Sequence, residues 1–112
     1  MRRRVTGITG SVLAATDGLV VASDTGAGVD PDDIAAVAAA GLGIARRMAA
    51  VTDQGDLDQS VAHCSQGYTA VYAVGDLALM VVLGDEGLDI GRLRGHSRPV
   101  LDRIGSILIE GE

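Results

Sequence analysis

The chain has 112 residues, of which 47% are hydrophobic, and it carries a formal net charge of −6. This length suffices for one domain, spanning residues 1–112, with a core of its own. The acidic balance excludes a non-specific nucleic-acid binder, because phosphate contacts require clustered cations.

Cysteine content and the N-terminal pattern indicate a cytoplasmic protein. Cys64 is the only cysteine, which excludes an intrachain disulfide and a thiolate-rich metal site. The arginine-rich start is followed by Thr6, Gly7 and Thr9, which interrupt the apolar region that a signal peptide needs. No run approaches the roughly 18 to 20 uninterrupted apolar residues of a membrane-spanning helix. We therefore expect no membrane insertion.

The first predicted elements are the two strands of a hairpin. Two apolar runs in GSVLAATDGLVVASD are joined by Asp17 and Gly18, a pair typical of the tight turns between antiparallel strands. The pattern predicts strands at about 10–16 and 19–24. Both runs are apolar on both faces, so we expect both strands inside the sheet.

A helix is predicted over 31–51, with Asp30 as its N-cap and Pro31 at its first position. Gly41 and Gly43 lie in its middle and each costs a helix about 1 kcal/mol relative to alanine. A packing partner has to offset that cost. Two stripes follow from helical spacing. The first, expected on the chain's own sheet, is Ile34, Val37, Ala38, Gly41, Ala45 and Met48. The second, expected on a partner, is Ala36, Ala39, Ala40, Gly43 and Arg47.

The remaining sequence predicts three strands and a second helix. Strand-like runs near 56–64, 68–74 and 77–83 are separated by turn residues. A C-terminal helix is expected at about 88–109, with a kink near 95–98 because Pro99 removes a hydrogen bond. The order is β-β-α-β-β-β-α, an α+β fold with a five-stranded antiparallel sheet flanked by helices.

One predicted strand has the character of a sheet edge. The run LALMVVL is wholly apolar and is expected inside the sheet, whereas DLDQSVAHCS is polar. An open edge of this length exposes unpaired backbone groups and requires protection. We therefore expect a homodimer in which two copies pair edge to edge through 56–64. Its expected interface comprises Ala36, Ala39, Ala40, Gly43, Arg47, Asp58, Ser60 and Ala62.

The sequence offers no convincing catalytic, cofactor or metal site. The GLG at 41–43 lies within the helix and lacks the Lys-Ser/Thr of a phosphate loop. His63 and Cys64 are adjacent on a strand, so they point to opposite faces and form no catalytic pair. The aspartates at 30, 32 and 33 suit helix capping, since a calcium loop needs a different spacing. Arg46 and Arg47 are candidates for partner binding, either as salt-bridge partners or as an arginine finger.

The chain resembles the Roadblock/dynein light-chain family over about residues 5–109. The resemblance rests on the hairpin VLAATDGLVVAS, the small-residue helix, the meander ending in DLALMVVL and the amphipathic C-terminal pattern. It implies a Roadblock/profilin-like α/β sandwich, here lacking the usual N-terminal helix. It also implies a non-enzymatic dimeric scaffold that binds a Ras-like small GTPase, modulating its GTP hydrolysis, in a bacterial signalling system with a sensor kinase as a further partner.

Two other functions stay open at this point. Small α/β domains of this kind also resemble sensory modules associated with histidine kinases, and a purely structural dimerisation module shares the same dimer. A sensor would require a cavity with convergent polar groups. The absence of Phe and Trp from the core disfavours a deep cavity of that kind.

Overall fold

The computed structural model describes residues 7–85, and these contain five strands and one helix. The strands are β1 (Ile8–Ala15), β2 (Val20–Asp24), β3 (Gln59–Cys64), β4 (Gly67–Val74) and β5 (Ala78–Asp85), and the helix is α1 (Pro31–Val51). The predicted C-terminal helix at 88–109, with its kink, lies outside the described residues.

The strands form one antiparallel sheet in the order β2-β1-β5-β4-β3. The predicted fold class is therefore confirmed. Both ends of α1 agree with the prediction, and Asp30 caps the helix by accepting a 2.9 Å hydrogen bond from the amide of Asp32. The strand predicted from residue 56 begins only at Gln59, since Asp53 and Gly55 adopt positive φ and turn the chain away from the helix.

The β1–β2 hairpin is present, but the prediction that both of its strands lie inside the sheet is wrong for β2. Within residues 7–85, β2 pairs only with β1 and forms one edge of the sheet. Val21 is 58% exposed and lies at an irregularity in the pairing with β1. The apolar character of the run therefore does not reflect burial on both faces. By contrast β1 and β5 are interior strands, as predicted.

α1 packs on one face of the sheet through a narrow strip of small side chains. Ala35, Ala38 and Leu42 are buried there, within a cluster that also contains Val12, Ala14, Val71, Leu79 and Val81. The predicted core stripe of the helix is wrong in two of its main members, because Val37 is 74% and Met48 is 60% exposed. A helix that is apolar on most of its circumference does not reveal from its spacing which side the sheet covers.

A second buried cluster lies on the other face of the sheet and consists of Ile8, Ala70, Tyr72, Val74, Ala78, Met80 and Val82. Ile8 belongs to this cluster although Val12, at the same strand parity, belongs to the helix side. The pairing of β1 with β5 shifts between Ile8 and Gly10. Such a bulge inserts one extra residue, so the side chains before it lie on the opposite face of the sheet from the one that strict alternation would give.

Candidate functional site

The outer edge of β3 is the first candidate surface. Among the described residues β3 pairs only with β4, so its other side is open. The amide of Ala73 donates to the carbonyl oxygen of Asp58 over 3.1 Å. Backbone groups alternate in direction along an antiparallel strand, so every second residue after Asp58 also points its backbone groups to β4. The residues whose backbone N–H and C=O groups point outward are Gln59, Val61 and His63.

Side chains on this strand divide between the two faces of the sheet. Ser60 and Ala62 lie on the side of α1, where they line a groove. His63 lies on the opposite side and stacks on Tyr68 of β4, with 4.4 Å between ring centroids and an interplanar angle of 26°. Cys64 is an exposed free thiol and, as the next residue along the strand, faces away from His63. The side chains of β3 are therefore half-buried or exposed throughout.

The groove beside α1 is the second candidate surface. It has a volume of about 460 Å³ and lies between the helix and the half of the sheet formed by β3, β4 and β5. Its walls are mostly apolar, and Asp33, Ser60 and Thr69 supply the polar side chains. The helix contributes Ile34, Val37, Ala38, Gly41 and Leu42, and the sheet also contributes Ala62, Val71, Val81 and Leu83.

An exposed apolar stripe runs along α1 beside this groove. Its members recur at helical spacing, and their exposed fractions are 74% for Val37, 71% for Ile44, 60% for Met48 and 67% for Val51. A soluble helix normally buries such a stripe. The sequence prediction missed it as one surface, although the same spacing is visible in the sequence, because Val37 and Met48 were assigned to the core. We call these four residues the apolar stripe.

The direction of α1 carries the apolar stripe toward the β3 edge. A Cβ atom at Gly18, in the β1–β2 turn, would lie 3.4 Å from Ala36. Arg46 donates a 3.2 Å hydrogen bond to the carbonyl oxygen of Gly75 in the β4–β5 turn. The helix therefore crosses from the β2 side of the sheet to the β4 side. Its last five residues extend about 7.5 Å further, at the usual rise per residue, in the direction of β3.

The predicted interface residues occupy two different places. Asp58 and Ser60 are half-buried and Ala62 is exposed at the β3 edge. On the helix, Ala40, Gly43 and Arg47 are exposed and Ala39 is half-buried, and none of the four lines the groove. Ala36 is exposed and lies beside the β1–β2 turn.

The two predicted partner-binding arginines differ in their surroundings. Arg46 donates a hydrogen bond to the Gly75 carbonyl oxygen, whereas Arg47 is exposed and makes no such bond to a turn within the described residues. They are the only Lys or Arg residues within 7–85, where ten aspartates also occur. Arg47 is consequently the cation available to a partner in a strongly acidic part of the chain. Within the same residues, no group of three or more His, Cys, Asp or Glu side chains is arranged to hold a metal ion.

Comparison with known proteins identifies the family. The model of the Roadblock/LC7 domain matches residues 2–84, which is most of the chain and includes the hairpin, α1 and nearly all of the five strands. The chain belongs to the Roadblock/LC7 family. The predicted resemblance is therefore confirmed.

Relatives and solved structures agree with this assignment. The uncharacterized protein MJ0310 of Methanocaldococcus jannaschii is 35% identical over 98 residues, which cover 88% of this chain and 85% of that protein. A Roadblock/LC7 domain from Streptomyces avermitilis is 26% identical, with a TM-score of 0.82 over 96% of this chain and 88% of that one. The gliding protein MglB from Thermus thermophilus is 19% identical, with a TM-score of 0.83 over 96% and 82% of the two chains. The last of these likenesses concerns the fold alone.

By length and composition α1 would also pass as a membrane-spanning helix, with 21 residues and a mean hydropathy of 1.5. In this Roadblock domain it lies on the sheet, with Leu42 buried against it, and four of its other large apolar side chains form the exposed apolar stripe. A core helix of a soluble protein can have the same length and apolar composition, but it is mostly buried, whereas only 17% of the apolar window of α1 is buried in the protomer. The apolar character of α1 is equally well suited to packing against protein.

Proposed function

We propose that this Roadblock domain is a cytoplasmic, non-enzymatic homodimer that binds and regulates a Ras-like small GTPase. Membership of the Roadblock/LC7 family is the observation that carries the functional class. The open β3 edge beside an apolar groove and an exposed apolar stripe supports the dimer. The proposal concerns a scaffold, so it assigns no catalytic residue and no cofactor.

In the proposed dimer the β3 edges of two copies pair and join the sheets. A twofold axis perpendicular to the sheet then places both α1 helices on the same face, running in opposite directions. The C-terminal part of each helix, which points toward the β3 edge, reaches over the partner's groove. Met48 and Val37 then become buried between the two copies. The long polar edge and the apolar stripe are both protected by one contact.

This arrangement changes the helix part of the predicted interface. Ala36, Ala39, Ala40 and Gly43 do not line the groove. In their place we propose Val37 and Gly41, which do line it, and Met48 of the apolar stripe. Asp58, Ser60 and Ala62 at the edge are kept. Arg47, on the outer side of the helix, then remains accessible in the dimer and is proposed as a contact for the GTPase.

The proposed GTPase contact spans the outer sides of the two α1 helices. Pairing the copies creates a surface that neither possesses alone. Because residues 7–85 carry ten aspartates and only two arginines, we expect the GTPase to present basic groups to this domain and an acidic group opposite Arg47. Long-range attraction of this kind weakens as salt screens it.

Affinity measurements with a defined GTPase test the function. The dimer is titrated against a candidate GTPase, recovered by affinity capture from the source cell, loaded with GDP or with a GTP analogue. Regulation requires different affinities for the two forms, because equal affinity shifts no equilibrium. Arg47→Glu should weaken binding by up to about tenfold, the range of one exposed ion pair and its reversal. Arg46→Gln is the control and should leave affinity unchanged, because Arg46 binds its own β4–β5 turn.

A second candidate function is favoured by the groove itself. Its volume of about 460 Å³ and its three polar side chains fit a small apolar ligand with one polar end, as in a sensory module associated with a histidine kinase. The two functions differ in what occupies the groove. A ligand that co-purifies with the dimer and is displaced by filling the groove supports the sensor, whereas nucleotide-dependent GTPase binding supports the scaffold. Failure of both would leave a purely structural dimerisation module.

A further inference from the structure

The directions of the backbone groups on β3 restrict how two copies can pair. Gln59, Val61 and His63 point their N–H and C=O groups outward, as deduced from the 3.1 Å bond between Ala73 and Asp58. In an antiparallel pair, residues that exchange both hydrogen bonds lie directly opposite each other. Outward-pointing residues of one copy must therefore face outward-pointing residues of the other.

Three registers satisfy this condition with substantial overlap, and each puts a different residue on the twofold axis. With Ser60 or Ala62 on the axis, one of the three outward-pointing residues in each copy meets no outward-pointing residue of β3. With Val61 on the axis, Val61 faces its own copy and Gln59 faces His63 in both directions. All outward-pointing backbone groups of β3 then form hydrogen bonds. The other two registers leave some of these groups without partners, which costs free energy, so the register with Val61 on the axis is favoured.

The side chains fit the same register on both faces of the sheet. On the helix side, Ser60 lies opposite Ala62 of the other copy, in the closer type of pair. Both side chains are small and line the groove floor, so they leave room for a helix to pass above. On the other side, the Val61 pair is flanked by the His63–Tyr68 stack, an apolar centre with aromatic neighbours.

We infer that the β3 edges pair in a single register, with Val61 on the twofold axis and Gln59 opposite His63 of the other copy. This inference rests on the proposed homodimer and specifies its geometry. In this register the grooves of the two copies meet at the seam, where the small Ser60 and Ala62 side chains, which line each groove, lie opposite each other.

Single-cysteine crosslinking reads this register directly. Ser60→Cys, Val61→Cys and Ala62→Cys are each made in a Cys64→Ser background and oxidised with diamide. Residues directly opposite across an antiparallel pair have Cα atoms about 4.5–5.5 Å apart, within the range that a disulfide spans. We expect Val61→Cys to form a covalent dimer at least ten times faster than the other two variants.

The outcomes separate the register from the dimer itself. Light scattering on each reduced variant first measures whether a dimer is present. A reduced dimer that crosslinks fastest through Ser60→Cys or Ala62→Cys overturns the register while keeping the β3 contact. A reduced dimer in which none of the three crosslinks overturns edge pairing through β3. A monomer for every variant and for the unmodified chain overturns the proposed homodimer, and the register with it.

Discussion

Met48 tests whether the apolar stripe is an interface between two copies. Its side chain is 60% exposed in the protomer, and full burial of a methionine side chain is worth about 1.5–3 kcal/mol. Burying the exposed part on association would therefore contribute about 1.5 kcal/mol per copy, or about 3 kcal/mol per dimer. Met48→Ala should consequently raise the dimer dissociation constant about 100-fold, since each step of about 1.4 kcal/mol is a factor of ten.

Sedimentation equilibrium over a range of protein concentrations measures this dissociation constant. Leu19→Ala is the matched control, because Leu19 is 69% exposed but precedes β2 at the opposite edge of the sheet. Its dissociation constant should stay within about twofold of the unmodified chain, as is usual for surface substitutions away from a contact. A Met48→Ala dimer that is as tight as the Leu19→Ala dimer would refute the assignment of the stripe.

Two further predictions concern residues of α1. Leu42 is 2% exposed, so Leu42→Ala should lower the free energy of unfolding by about 2–5 kcal/mol, as measured in urea titrations. A loss below about 1 kcal/mol would contradict the finding that this face of α1 is buried against the sheet. In Gly41→Ala the new methyl group meets no atom within 4 Å in the described protomer, so the free energy of unfolding of the monomer should rise by about 1 kcal/mol. The same methyl group enters the groove that the partner occupies in the proposed dimer. The dimer should therefore dissociate more readily in the sedimentation assay. A Gly41→Ala dimer as tight as the unmodified one would argue against a partner at this position.

Local signals in the sequence were sufficient to predict the strands and the helix, but not to predict which of their faces and edges are buried. Asp17 and Gly18 determine the hairpin because Asp17 accepts the Leu19 amide at 3.0 Å and Gly18 adopts φ 92°. Asp30 similarly determines the start of α1 through its cap. These interactions span two residues, so the sequence displays them directly. The same reasoning predicts β3 as an edge strand, because its polar residues indicate that the strand is partly exposed to solvent.

Properties that depend on distant contacts could not be read in this way. Within residues 7–85, β2 is an edge because β1 lies on one side of it and no described strand lies on the other, a fact that no residue of β2 encodes. The orientation of α1 was equally hidden, because Val37 and Leu42 are both apolar and only the sheet decides that Leu42 is buried. Interface residues inherit this ambiguity. Whether an apolar helix residue packs in the core or against a partner depends on the position of the helix on the sheet, and the sequence shows only that the residue is apolar.

The two glycines of α1 connect this ambiguity to function. Together they cost the helix about 2 kcal/mol relative to alanine, and neither Gly41 nor Gly43 has an atom within 4 Å of its missing Cβ in the described protomer. Close packing within the described protomer therefore does not account for either residue. Gly41 lines the groove, where a second helix that approaches closely would require a small residue. Because close helix contacts gain from the absence of a side chain, the part of this cost that belongs to Gly41, about 1 kcal/mol, is offset in the proposed dimer. At this position the helix is better suited to a pair of chains than to one, whereas nothing in the described protomer or in the proposed contact explains Gly43.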